Sequence, residues 1–201
     1  MARIVWKAKN LVSLKLRDDL YTIAQMEDDS ILRCFDIFNT NGVWHEINLN
    51  NIKQIFRVYV GRVVNQKLAV CRIKDPTVIP SNQLLKLYWI KPYTRLDANY
   101  PGSEFSFSFL GGRLVRINEK MFSIEEIETI QHDLSPVKNK EIIEKYEMTN
   151  MWGDKDLGDR LRRYFDTGIN RDDLKFEVFP GLWDDRETLR PLTRRLPIPL
   201  R

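Results

Sequence analysis

The chain opens with three apolar runs, Leu11–Leu16, Leu20–Met26 and Ile31–Phe38, separated by Arg17-Asp18-Asp19 and Glu27-Asp28-Asp29-Ser30 and closed by Asn39-Thr40-Asn41-Gly42. Short apolar runs broken by compact polar turns predict an antiparallel meander. In the third run Ile31, Arg33, Phe35 and Ile37 alternate with Leu32, Cys34, Asp36 and Phe38. Successive side chains of a strand point to opposite faces, so both faces are partly apolar and the outer one needs a cover. The meander therefore reads as the first half of a small barrel or curled sheet.

The same alternation continues. INLNNIKQ predicts a turn or short helix, and FRVYVGRVV and KLAVCRIK predict two strands of a hairpin that turns at Asn65-Gln66. Pro76 and Pro80 set a loop, and LLKLYWIKPY predicts a strand that Pro92 stops. EFSFSFL alternates Phe105, Phe107 and Phe109 with Ser106 and Ser108, which predicts a strand with three Phe on its core face. Gly111-Gly112 suits a two-residue turn into RLVRIN, giving about eight strands by residue 118.

Beyond residue 118 the period changes. Ser123 and Glu126 match a capping box, with Ile124, Ile127 and Ile130 spaced for a helix, although EEIETI also suits a strand. Ser135-Pro136 predicts a helix start, and Glu141 and Lys145 stand four apart on that helix. A third helix is capped by Asp154 or Asp156, lined on one face by Leu157, Leu161 and Phe165, and ended by Gly168. Lys175–Phe179 reads as a strand, and the tail holding Pro191, Pro197 and Pro199 as extended. The expected fold is α+β: an antiparallel β-meander curled into a small barrel or sheet, with a C-terminal helical portion. The expected division is a mainly β domain over 1–118 and a helical portion over 119–201, packed on the first as one unit.

Composition narrows the class. Hydrophobic residues make up 43% of the 201, with 5 Trp, 7 Tyr and 10 Phe, enough for a core and unlike a disordered chain. No apolar run approaches the length of a membrane span. MARIVWKAKN lacks the long apolar stretch and cleavage site of a secretory signal. Cys34 and Cys71 stand alone, as two buried thiols of a reducing compartment would, and the expected location is cytoplasmic. Net charge is +4, but residues 51–100 carry +7 while the other three quarters carry −1, −3 and +1. Such asymmetry can steer a partner of opposite sign.

Candidate chemistry is sparse. His45 and His132 lack ligand-like spacing, which argues against a zinc site or a His-dependent base. No nucleophile elbow, P-loop or GxGxxG is present. The pairs Asp18-Asp19, Asp28-Asp29 and Asp184-Asp185 fall where turns favour Asp for local reasons. The expectation is therefore no catalytic residue, metal or cofactor. Aromatics beside cations are hot-spot material: Trp89 and Tyr93 near Lys91 and Arg95, and Trp183 near Arg186. Arg57, Arg62, Lys67, Arg72 and Lys74 form the densest basic cluster. With Tyr59 they suit phosphate contact and base stacking, so a nucleic-acid-binding β-barrel module using the 57–74 hairpin is the alternative function.

WKAKNLVSLKLRDDLYTIAQM, FDIFNTNGVW, QIFRVYVGRVV and LYWIKPY, taken together, resemble immunity proteins of bacterial polymorphic-toxin and contact-dependent growth inhibition systems. The match lies in an early strand pair, Val12, Leu14–Leu16, Asp18–Asp19, Tyr21 and Ala24, and covers about residues 5–93. The resemblance implies an SH3-like barrel and a cytoplasmic protein without enzymatic activity. Its expected partner is a cognate toxin C-terminal domain, often a nuclease, rather than nucleic acid or membrane. One departure is charge, because nuclease inhibitors are commonly acidic. The expected partner-binding residues are accordingly Glu125, Glu128, Glu141 and Glu144, then Trp183 and Arg186.

Overall fold

The computed structural model describes residues 4–84, 87–97, 106–117 and 127–184. The fold is α+β, a curled half-barrel sheet of mainly antiparallel strands with a few helices. Residues up to 84 with Asn150–Arg171 form one compact unit, and residues 87–149 with 172–184 form a second. Contacts thus group the chain differently from the change of composition at residue 118.

In the first unit, β1 (Leu11–Arg17), β2 (Leu20–Met26) and β3 (Ile31–Asn39) are the meander. With β4 (Gln54–Val60), β5 (Ala69–Ile73) and β9 (Met151–Trp152) they make a six-stranded sheet in the order β5-β1-β2-β3-β4-β9. Both faces are covered. Val12, Leu14, Ala24, Leu32, Cys34, Phe56 and Val58 pack with Leu157 and Leu161 of α3 (Asp154–Thr167). On the other face Leu11, Ile23 and Phe35 pack with Trp44, Leu49 and Val78 from the following loops. Each fully buried Leu or Phe contributes about 1.5–3 kcal/mol. The Trp44 indole N–H keeps its hydrogen bond by donating to Ser13 Oγ at 3.0 Å.

The segment 57–74 is not a hairpin. After Gly61 the chain forms α1 (Arg62–Lys67), with Leu68 N–H donating to the Val64 carbonyl at 2.9 Å, where a turn at Asn65-Gln66 is expected. Burial of Val64 in the core holds this helix down. β5 is thereby carried past β4 to pair with β1, Val12 facing Arg72.

In the second unit β6 (Tyr88–Asp97), β7 (Ser106–Ile117) and β8 (Ile127–Leu134) form an antiparallel sheet in that order. Pro92 does not stop β6. It sits in an edge strand opposite Gly112, where a missing N–H is tolerated. Nor is Gly111-Gly112 a turn. Pro92 faces Gly112 and Thr94 faces Phe109, so Leu110 and Gly111 together oppose Tyr93, a bulge for which Gly111 takes φ +86°. Gly112 keeps its place because a Cβ there would lie 3.1 Å from both the Lys91 carbonyl and Phe179. Seven strands therefore precede residue 118 among the described residues.

Strand β8 resolves the helix-or-strand alternative at EEIETI in favour of strand from Ile127. Ser123, Ile124, Glu126, Phe105 and the tail prolines lie outside the described residues, as does any statement of the Phe107 side chain. α2 (Pro136–Lys145) begins at its proline, as expected. Lys175–Phe179 is helical rather than extended: α4 (Leu174–Val178) packs Leu174 and Val178 against Ile90, Leu114 and Ile143. Asp172 Oδ1 accepts the Leu174 N–H at 3.0 Å and starts it. Buried Lys175 then donates Nζ to the carbonyls of Ile143 at 2.5 Å and Tyr146 at 2.8 Å, closing the C-terminal end of α2, where a cation is electrostatically favoured. Among the described residues no helix is long and apolar enough to cross a membrane.

Candidate binding surface

Placement of the basic cluster depends on a buried ion network. Gln25, Arg33 and Arg57 are cross-strand neighbours on β2, β3 and β4. Glu27, just past β2, accepts Arg33 Nε on one carboxylate oxygen and Arg57 Nε on the other, both at 2.6 Å. Arg33 is 1% exposed and Glu27 7%. Arg33 also donates to Ser81 Oγ at 3.2 Å and to the Gln83 carbonyl at 3.3 Å, while the Gln25 amide brackets the Ser81 backbone. Arg57 is thus removed from the surface. Arg62 and Lys67 stay exposed on α1, and Arg72 and Lys74 are exposed on or beside β5. Arg62 also lines a groove of about 550 Å³ with Ile4, Val5, Trp6, Val60 and Asn65. The five cations do not share one strand pair.

The surface that sequence reasoning missed lies where β1, β3 and the end of α3 meet. Leu157 and Leu161 are buried as expected, but the third inward position is Tyr164, and Phe165 is 44% exposed. At about 100° per residue the next position already leaves the buried stripe. Phe165 is held edge-on by Phe38, ring centroids 5.1 Å apart, and Phe38 also lies 6.4 Å from the Tyr164 ring. The Arg17 guanidinium sits 5.3 Å from the Phe165 centroid and donates Nη1 to the two Asp166 carboxylate oxygens at 3.0 and 3.2 Å. These hydrogen bonds hold the Arg17 guanidinium above its ordinary value. The Tyr164 hydroxyl donates to Asp36 Oδ2 at 2.7 Å and accepts from Lys53 Nζ at 3.4 Å. Burial, then the bond to Asp36, raises its pKa. An exposed aromatic ring is therefore fixed by the Phe38 ring and an arginine, inside a rim of Asp19, Asp36, Lys53 and Asp166.

The expected partner residues that are described fall in the second unit. Glu144 of α2 and Trp183 are brought together: the Trp183 indole N–H donates to Glu144 Oε1 at 2.7 Å, and its ring packs edge-on against Phe176 at 4.8 Å. Glu141 is exposed on the same helix. Glu128 is on β8, its Oε2 accepting from Arg116 Nη2 at 2.8 Å. Glu125 and Arg186 lie outside the described residues. Lys138, Lys140 and Lys145 share α2 with the glutamates, so this helix carries mixed charge rather than an acidic face. Trp89 is a core residue at 3% exposed, not a surface anchor.

Two of the aspartates are held by local partners. Asp18 accepts from Lys15 Nζ at 2.9 Å, which lowers its carboxyl, the opposite of what a general acid requires. Asp75 receives the Thr77 hydroxyl and N–H and contacts His45 Nδ1, which hold it down to about 2. Among the described residues no group of three or more His, Cys, Asp or Glu could hold a metal ion. Cys34 is buried as expected, but Cys71 is exposed on β5, and the two are not joined by a disulfide.

The chain belongs to the DUF8309 family, a domain of unknown function, whose model matches residues 1–184. No curated protein and no solved structure matches it.

Proposed function

We propose that this chain is a cytoplasmic, non-enzymatic immunity protein that binds one toxin domain and neutralises it by covering its active site or substrate groove. The observation that carries the reading is the Phe165 patch, an exposed ring pinned between Phe38 and Arg17 with a charged rim. Interface hot spots are aromatic and arginine side chains ringed by contacts that exclude water. A ring already fixed in place loses little freedom on binding. The Glu144–Trp183 pair gives the second unit an aromatic ring of its own, held by a carboxylate. The class of partner, a toxin domain and most often a nuclease, comes from the resemblance of residues 5–93 to immunity proteins.

A toxin inhibitor needs about 800 Å² of complementary surface on each partner, and a nanomolar complex corresponds to about −12 kcal/mol. A ring fixed within a charged rim would serve as the anchor of such a surface. The test is co-elution of the purified chain with the toxin domain encoded immediately upstream. A 1:1 complex at micromolar concentration is expected, and separate elution would reject the proposal.

A further inference from the structure

On the sheet of the second unit, Lys91 of β6 stands directly opposite Arg113 of β7. Like charges facing each other across an antiparallel pair repel, and such a pair usually recruits a carboxylate. Arg116, three residues along the same strand, has one in Glu128. Among the described residues no ion pair is formed by Lys91 or Arg113. The Arg113 guanidinium instead lies 5.8 Å from the centroid of the Tyr93 ring, and its buried Nε has no hydrogen-bond partner. Tyr93 reaches toward β8, its hydroxyl 3.4 Å from His132 Nδ1. Lys91, Tyr93 and Arg113 are half-buried, and His132 is exposed.

Backbone irregularities flank this rung. The bulge at Leu110-Gly111 sits opposite Tyr93. A second register shift falls between Gly112 and Leu114 in the β7–β8 ladder, and Asp133, next to His132, takes a positive φ of 48°. Bulges re-aim side chains, and a non-glycine residue in that region is strained. Three strands therefore bring two cations, a phenol and an imidazole together, and among the described residues no carboxylate is paired with either cation.

We propose that Lys91, Tyr93, Arg113 and His132 form a binding site for a single phosphate group, either inorganic phosphate or the terminal phosphate monoester of a small ligand. Phosphate presents several acceptor oxygens to match these donors, and a guanidinium stacked on an aromatic ring is already oriented for bidentate contact. The donors occupy two neighbouring rungs and the adjacent strand rather than a long track, which suits one phosphate and not a polynucleotide backbone. The site is independent of the Phe165 patch and of the toxin-binding reading.

The test is calorimetry of the full chain with inorganic phosphate, and separately with a sugar phosphate, at constant ionic strength. Saturable binding is expected at millimolar concentrations or below, with NMR shifts at Tyr93 and His132. Lys91→Gln and Arg113→Gln should each weaken it roughly tenfold or more, since each removes charge-assisted bonds. Arg113→Lys should be intermediate, because it keeps the charge and loses the fork. Lys138→Gln should change nothing. Tighter binding of the sugar phosphate than of inorganic phosphate would assign the site to a small ligand; equal binding would assign it to the free anion. Absence of saturable binding, survival of binding in the Lys91→Gln/Arg113→Gln double variant, or binding of single-stranded nucleic acid without binding of phosphate would overturn the proposal.

Discussion

Glu27→Ala isolates the ion network that fixes the meander. The substitution removes the carboxylate that accepts both Arg33 Nε and Arg57 Nε at 2.6 Å. Arg33, at 1% exposed, is left with only neutral acceptors, Ser81 Oγ and the Gln83 carbonyl. Removing one partner of a buried ion pair costs about 3–5 kcal/mol, because a charge stays buried without its counter-charge. Against a total stability of about 5–15 kcal/mol, that is a large fraction. With a urea m-value of about 2–3 kcal/mol/M the midpoint should fall by roughly 1–2 M at unchanged m. Replacing all three residues by apolar ones, Glu27→Leu with Arg33→Met and Arg57→Leu, should recover part of the loss, since no charge then remains buried. Equilibrium unfolding followed by tryptophan fluorescence and circular dichroism reads both. A loss under about 1 kcal/mol for Glu27→Ala would refute the reasoning, because it would mean the arginines are solvated without their partner.

Two further predictions concern other parts of the chain. Asp75 has its carboxyl held down to about 2 by the Thr77 hydroxyl, the Thr77 N–H and His45. A depressed carboxylate stabilises the fold above its ordinary pKa of 3.8 and loses that contribution as pH falls toward about 2. Carbon-detected NMR should give a midpoint near 2, moved upward by Thr77→Ala; an ordinary midpoint in the native protein would contradict the geometry. Lys175→Met strips the C-terminal carbonyls of α2 of their charged donor, and should cost about 2 kcal/mol. In a chain of this size that is a fall in Tm of roughly 4–8 °C, and an unchanged Tm would show that water replaces the ammonium.

The meander was legible because its three apolar runs are each bounded by polar turn residues, and because two partly apolar faces demand two covers. α2 and α3 were legible from Pro136 and Gly168, which act through local backbone geometry alone. The failures share a cause: each was decided by a partner distant in sequence. Gly111-Gly112 has the composition of a turn, and only the opposing Pro92 and Thr94 make it a bulge. KFEVF has the residues of a strand, yet Lys175 is drawn to the end of α2, about thirty residues earlier. Arg57 looked like surface charge because Glu27 lies 30 residues away. The spacing of Leu157, Leu161 and Phe165 puts all three on one face, while the true inward stripe ends at Tyr164. The Phe165 patch joins Arg17 to Asp166 across 149 residues, which no local pattern reveals.

The most direct test of the binding account is calorimetry of the chain, and of its Phe165→Ala variant, against the toxin domain encoded beside it. A 1:1 complex is predicted, weakened roughly 30-fold or more by Phe165→Ala, the effect of losing a hot spot of about 2 kcal/mol or above. The variant should remain folded, since Phe165 is itself 44% exposed and its removal leaves Phe38 and Tyr164 packed on the core. A native complex of unchanged affinity in the variant would move the interface elsewhere, and no heat with the wild-type chain would contradict the account itself.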